Sequence, residues 1–163
     1  MDHKDAAWET RIAHLWLSFD DYGADEFVAK IDDLVAELPP ADAIGLFERG
    51  AAQDSTGHPD RAVALYKAAL DAGLADPRRR RATIQMASSL RNLGNAKDAA
   101  ALLTAELHAT SDELDGAVRA FLALALVDLG REREAVAASL TALSFYLPRY
   151  TRSLARYAAL LNR

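Results

Sequence analysis

The chain has no cysteine, few aromatic residues and no long apolar run. The absence of cysteine from its 163 residues excludes disulfides, thiol nucleophiles and thiolate metal sites. Aromatic residues make up only 7% of the chain while alanine and leucine dominate, which favours closely packed helices over strands. The nearest candidate for a membrane span, AFLALALV, is far shorter than the roughly 18 residues required, and the charged N-terminus does not resemble a secretory signal. We therefore expect an all-helical protein located in the cytoplasm.

Net charge argues against a nucleic-acid partner. The 24 acidic residues outnumber the 19 basic ones, giving a net charge of −5. The dense basic run at Arg78 to Arg81 has no interleaved aromatic residues, and its four members point in different directions around a helix. We interpret this run as the solvated first turn of a helix.

The sequence also lacks the motifs of a catalytic or metal-binding protein. There is no nucleophile elbow, no phosphate loop and no pair of acids on an otherwise apolar face. The histidines fall in separate elements without metal-ligand spacing; they are His3, His14, His58 and His108. We therefore predict no catalytic residue, no metal, no cofactor and no enzymatic activity.

One pattern recurs three times in the middle and C-terminal parts of the chain. A glycine is followed, at offsets of five, nine and thirteen residues, by a small residue and then two further positions of a helix. These sets are Gly57 with Ala62, Tyr66 and Leu70; Gly94 with Ala99, Leu103 and Leu107; and Gly130 with Ala135, Ser139 and Leu143. The spacing of the glycines is close to the roughly 34-residue period of a two-helix solenoid, whose repeats bury their apolar faces by stacking. The pattern therefore predicts an internal repeat.

Helical periodicity, caps and breakers divide the whole chain into nine helices. We expect them at 3–20, 24–38, 42–56, 59–73, 77–93, 95–109, 112–129, 131–147 and 148–163. The fold class that follows is all-α: a right-handed α-solenoid of antiparallel helix pairs with a C-terminal capping helix. We expect one domain over 1–163, with an N-terminal helix pair or degenerate repeat at 1–40, three repeats at 41–147 and the capping helix at 148–163.

The repeat resembles the tetratricopeptide family. A small residue lies seven positions before each turn glycine, at Gly50, Ala87 and Ala123, and an alanine and a larger residue follow the turn. The segments RRRRATIQMASSLRNLG, AVRAFLALALVDLGREREAV and LPRYTRSLARYA are similar to a small bacterial group within that family, the group-five class. The resemblance implies that the first helices of successive repeats line a concave groove.

Polar residues recur at helical spacing on the helix expected at 77–93. If this helix lines the groove, they point into it together; they are Arg81, Gln85, Ser88, Arg91 and Asn92. Arginine and asparagine side chains there could hold a carboxylate or the backbone amides of an extended peptide. The alternative is a solvated polar face with internal ion pairs to Asp54, Glu48 or Asp128.

The helix expected at 112–129 is apolar nearly all round, so something should cover Phe121 and Leu124. They are either part of the core or an apolar anchor for a partner. We expect the chain to be a non-catalytic scaffold that binds a protein or peptide in its groove. The alternative is a structural module that forms a homodimer through this helix, the partner closing the groove. No nucleic-acid or membrane partner is expected.

Overall fold

A computed structural model describes residues 3–109 and 111–161, and the side chains from residue 6 onward. Over these residues the fold is an all-α helical repeat, with no strand and one short 3₁₀ turn at Phe19–Asp21. The helices are α1 His3–Leu17, α2 Ala24–Val35, α3 Ala43–Ser55, α4 Pro59–Asp71, α5 Arg78–Asn92, α6 Ala96–Ala109, α7 Asp115–Asp128, α8 Glu132–Ser144 and α9 Thr151–Leu160. The prediction of about nine helices is confirmed for the described part of the chain.

The chain divides into two compact units, the first ending at Ala82 and the second beginning at Thr83, within α5. In the first unit α2 packs on both α1 and α3, and α3 packs along α4. In the second, α6, α7, α8 and α9 pack in order, each on the next. Successive helices thus pack as neighbours in a solenoid. The expectation of a single domain stays a prediction.

The first helix pair is held together by an aromatic-rich core. Trp8, Phe27 and Ile31 are buried in it, and the indole of Trp8 donates to the carbonyl of Leu34 at 2.8 Å. Helix α1 ends at Leu17, earlier than expected. The 3₁₀ turn that follows packs Phe19 against this core. The ring of Phe19 meets Phe27 edge to face, with 4.8 Å between centroids.

Helices α3 and α4 begin as the sequence predicts. The carboxylate of Asp42 accepts from the amides of Ile44 at 2.8 Å and Gly45 at 3.1 Å, which satisfies two donors that the first turn of α3 leaves free. Pro59 occupies the first turn of α4, where a missing amide hydrogen costs nothing.

The three repeat glycines end their helices in the same way. Gly57, Gly94 and Gly130 have φ of 85°, 83° and 69°, in the left-handed region that favours glycine. Each glycine amide bonds the carbonyl three residues back, and the next amide bonds the carbonyl five back. This is the Schellman arrangement, and its three copies confirm that the glycines are equivalent turn positions.

The second unit has an aliphatic core. Ala99, Leu103 and Val118 are buried at its centre, together with alanine and leucine side chains of α7 and Ala135 of α8. Small residues let these helices approach closely, as the repeat pattern predicts.

Two predicted helix starts are wrong. Helix α7 begins at Asp115 rather than 112, because the Asp115 carboxylate binds the Ser111 hydroxyl at 2.7 Å and Asp112 accepts from the amide of Leu114 at 2.7 Å, holding 112–114 in a turn. Helix α9 begins at Thr151 rather than Pro148, since Tyr150 before it has a left-handed φ of 68° that a continuing helix excludes.

None of the helices in the described part of the chain combines the length and the apolar character that a membrane span needs.

Candidate interaction surfaces

The first turn of α5 is only partly solvated, which differs from the interpretation of the arginine run. Arg80 is fully buried and Arg78 is half-buried. The Arg79 guanidinium bonds Asp76 just before the helix, with 3.0 Å between Nε and Oδ1. A buried guanidinium needs hydrogen-bonding partners, and carboxylates far away in the sequence supply them for Arg78.

Arg78 bridges two carboxylates of the first unit. Its Nη1 and Nη2 atoms donate to both oxygens of Glu9 on α1, at 2.9 and 2.6 Å. Its Nε donates to Oε1 of Glu48 on α3 at 2.9 Å, and the other oxygen of Glu48 accepts from the indole of Trp16 at 2.8 Å. Glu48 is buried, so this pairing supports a charge that would otherwise be costly in the interior.

The electrostatics of Arg78 follow from this geometry. Burial alone would lower the pKa of Arg78, but the hydrogen bonds and negative charges of Glu9 and Glu48 outweigh it and raise the pKa above the ordinary arginine value. Arg78 is therefore permanently charged, and Glu9 and Glu48 already neutralise this charge within the first unit. Its guanidinium is held in place by these pairs and is not free to bind a ligand.

Arg81 lies one helical turn further along and is different. Its guanidinium lies 5.2 Å from the ring centroid of Phe47, a cation-π contact, and the side chain is exposed. Within residues 3–109 and 111–161 it makes no ion pair. A cavity of about 380 Å³ opens beside it in the first unit; its lining includes Glu9, Ile12, Trp16, Leu17, Glu48 and Arg78. The cavity thus places this cation beside apolar side chains and beside the paired charges of Glu9, Glu48 and Arg78.

The other predicted polar residues of α5 have mixed surroundings. Gln85 and Ser88 are half-buried, and Asn92 is exposed at the end of the helix. In the part of the chain that the structure describes, the Gln85 side-chain oxygen has no hydrogen-bond partner. Arg91 pairs with Asp128 of α7, with 2.6 Å between Nε and Oδ2 and 3.3 Å between Nη2 and Oδ1. The internal ion pair that the sequence left open as an alternative is therefore present at Arg91.

Phe121 and Leu124 of α7 lie in different surroundings. Phe121 is half-buried and packs against the aliphatic core of the second unit. Leu124 is 45% exposed and lines a hollow between α7 and α8 together with Val127, Val136 and Leu140. Of the two residues, Leu124 is the more exposed.

Two features of these surfaces were missed from the sequence. The Glu9, Trp16 and Arg78 contacts join residues up to 69 positions apart, and no local pattern indicates them. The sequence partly indicated the hollow between α7 and α8, because α7 is apolar on more faces than one neighbouring helix can cover.

The described residues contain no cluster of metal-ligating side chains. Among them, no three histidine, aspartate or glutamate side chains lie close enough together to hold a metal ion. Burial, followed by the charge of Asp54, raises the pKa of Tyr66 far above its ordinary value, so its phenol stays protonated near neutral pH. His14, His58 and His108 lie in separate elements, and the side chain of His3 is outside the described set.

These observations define a class: an all-α helical repeat protein. The family model described as tetratrico peptide repeat matches residues 43–161. The chain therefore belongs to the tetratricopeptide repeat family, whose members generally serve as non-catalytic scaffolds for protein interactions. No curated protein and no solved structure gives a significant match. The narrower likeness to a small bacterial group stays a prediction.

Proposed function

We propose that the chain is a non-catalytic scaffold that binds an extended peptide segment of a partner protein on the polar face of α5. The observation that carries the proposal is Arg81, an exposed cation without an ion pair in the described residues, beside a cavity lined by both apolar and charged side chains. Family membership supports a protein partner. Gln85, Ser88, Arg91 and Asn92 are the proposed polar contacts further along α5, and a cytoplasmic location remains part of the proposal.

The side chains around the cavity indicate what kind of peptide it would bind. A peptide carboxylate placed over Arg81 gains a charge-assisted hydrogen bond. A neighbouring apolar side chain of the same peptide can cover Trp16 and Leu17, and Leu17 is 85% exposed. Arg78 does not compete for the carboxylate, because Glu9 and Glu48 already match its charge. The preferred peptide segment thus has an acidic residue next to an apolar one.

The test compares capture from a lysate of the native host by the wild type, Arg81→Glu and Arg61→Glu. Arg61 is an exposed arginine of α4 and serves as the matched charge control. A partner recovered by the wild type and Arg61→Glu, and lost with Arg81→Glu, supports the proposal. Recovery of the same proteins by all three baits would remove Arg81 from the binding face.

The partner then allows a direct affinity measurement. A peptide from its acidic segment should bind Arg81→Glu at least about tenfold more weakly, because a like charge replaces a charge-assisted contact. Arg91→Glu should have a smaller effect, since Arg91 is already paired with Asp128. An equal loss at both positions would mean that the Asp128 pair opens on binding.

The second candidate function is the homodimer in which a partner copy closes the groove through α7. Exposed Leu124 favours it, whereas Phe121 packs against its own core and contributes less. Leu124→Glu should then halve the molecular mass.

A further inference from the structure

Large apolar side chains are exposed mainly at the C-terminal end of the chain. Of those exposed in the described residues, Leu17 lies in α1 and Leu93 follows α5. All the others lie between residues 124 and 160: Leu124, Val127, Leu129, Val136, Leu143, Phe145, Tyr146, Tyr150, Tyr157 and Leu160. A concentration of this kind marks an interaction surface more often than scattered single residues do.

The centre of this surface is the hollow between α7 and α8. Its volume is about 480 Å³, and the aliphatic side chains of Leu124, Val127, Val136 and Leu140 line it. The one charged residue in its lining is Glu132, which is exposed and makes no ion pair within the described residues. No residue of α9 lines it, although α9 packs against α8.

The equivalent positions of the earlier repeats are less exposed. Counted from the turn glycine, Leu124 corresponds to Ala51 in the first repeat and Val136 corresponds to Ala100 in the second. Ala51 and Ala100 are buried, whereas Leu124 and Val136 are 45% and 48% exposed. Because stacked repeats bury these positions beneath further helices, the hollow has the form of a surface that takes a helix.

The outer face of α9 has the chemistry to fill such a surface. Ala158 of α9 is fully buried on the inner side, whereas Tyr157 is 60% exposed and Leu160 is 40% exposed. Arg156 is exposed within one turn of both. Helix α9 has no acidic residue and carries Arg152 and Arg156, so its charge is complementary to that of Glu132.

We propose that the occupant of the hollow is α9 of a second copy of this chain. Tyr157 and Leu160 of each copy pack onto Leu124, Val127 and Val136 of the other, with an arginine of α9 near Glu132. Both the hollow and α9 border α8, so both halves of the contact belong to the same unit of the chain. A chain that carries both halves can form a closed two-fold dimer, in which each contact occurs twice. The proposal does not rest on the peptide-binding role of Arg81.

The first test is the molecular mass of purified protein over a range of concentrations. The wild type should approach twice the chain mass of 17.7 kDa as concentration rises. Val136→Glu in the hollow and Tyr157→Glu on α9 should each be monomeric, with wild-type helix content by circular dichroism. Leu17→Glu, at an exposed apolar site in the first unit, is the control and should dimerise normally. If Val136→Glu loses helix content, Val127→Glu replaces it.

Mixing the two variants identifies the occupant. A pair of Val136→Glu and Tyr157→Glu keeps one intact contact, from the α9 of the first chain to the hollow of the second. The mixture should therefore form dimers although neither variant does so alone. A monomeric wild type, a dimeric Tyr157→Glu protein or a mixture that stays monomeric would each overturn the proposal.

Charge exchange gives a finer test. Glu132→Arg and Arg156→Glu should each raise the dimer dissociation constant roughly two- to fivefold, as expected for an ion pair at a rim, and the double variant should restore it. If the increases in the dissociation constant of the two single variants add in the double variant, Glu132 and Arg156 of α9 are not in contact. Arg81→Glu should leave the mass unchanged, so failure of the peptide-binding proposal and failure of this one are separable.

Discussion

The first and third repeats share a turn and differ in how they are filled. Both have a left-handed glycine at the turn and a buried alanine five residues later, Ala62 in α4 and Ala135 in α8. Four residues further on, the first repeat has Tyr66, which is fully buried, and the third has Ser139, which is exposed. The Ser139 hydroxyl turns back to its own helix and bonds the carbonyl of Ala135 at 2.9 Å.

In each of these repeats, the helix before the turn carries a residue whose size suits the residue nine positions after the turn glycine. Opposite Tyr66 lies Gly50, where a Cβ atom would come within 2.8 Å of the tyrosine ring. The equivalent position in the third repeat is Ala123, beside which Ser139 is small. The turn glycine thus sets how the two helices of a repeat pair. The residue nine positions after the glycine determines whether side chains of the repeat fill the space between its helices or leave room for another helix.

The largest expected effect comes from emptying the filled repeat. Tyr66→Ala should lower the free energy of unfolding by roughly 3–5 kcal/mol, because it removes a large buried ring and leaves a cavity. Ser139→Ala, at the equivalent position, should change it by less than about 0.5 kcal/mol, since the side chain is exposed. Urea unfolding followed by circular dichroism measures both. Equal losses would mean that the two repeats are packed alike.

A smaller effect is expected where the glycine meets the ring. Gly50→Ala should destabilise the wild type, because the clash with the Tyr66 ring costs roughly 1–3 kcal/mol and exceeds the gain of about 1 kcal/mol in helix propensity. Leu103 and Ala87 are the corresponding pair of the second repeat.

The matched background makes the test sharper. In a Tyr66→Leu protein, which copies the second repeat, Gly50→Ala should be neutral or stabilising, since the clash is gone and the propensity gain remains. The same destabilisation in both backgrounds would show that the ring is not the reason for glycine at this position.

The comparison also separates what could be read from the sequence from what could not. The turn glycines and the cap at Asp42 were predictable because their hydrogen bonds join residues a few positions apart. The start of α7 was not, because the carboxylates of Asp115 and Asp112 accept from the amides of Asp112 and Leu114 and hold this stretch in a turn. The partners of half-buried Arg78 were hidden for another reason: Glu9 and Glu48 lie 69 and 30 residues away in the sequence.

The candidate sites follow the same division. Helical spacing placed Arg81, Gln85 and Ser88 on one helix, but it could not indicate which arginine already had a carboxylate. The periodicity of α7 showed that it is apolar all round, yet which side another helix covers depends on how α8 and α9 pack, and this is settled by contacts between elements.

The smallest expected effect is a pH dependence of equal size in the two repeat regions. Glu37 bonds Arg11 before the first repeat, and Glu134 bonds Arg131 in the third; these hydrogen bonds lower the pKa of both carboxyls. A lowered pKa means that the unfolded chain binds the proton more readily, so each pair stabilises the fold above the unfolded pKa and loses its contribution as the pH falls through the folded pKa. Glu37→Gln and Glu134→Gln should each slightly flatten the dependence of the urea midpoint on pH below about 5, and high salt should remove the difference because both pairs are exposed. A large effect at either position would show that its carboxylate supports more of the fold than this one ion pair.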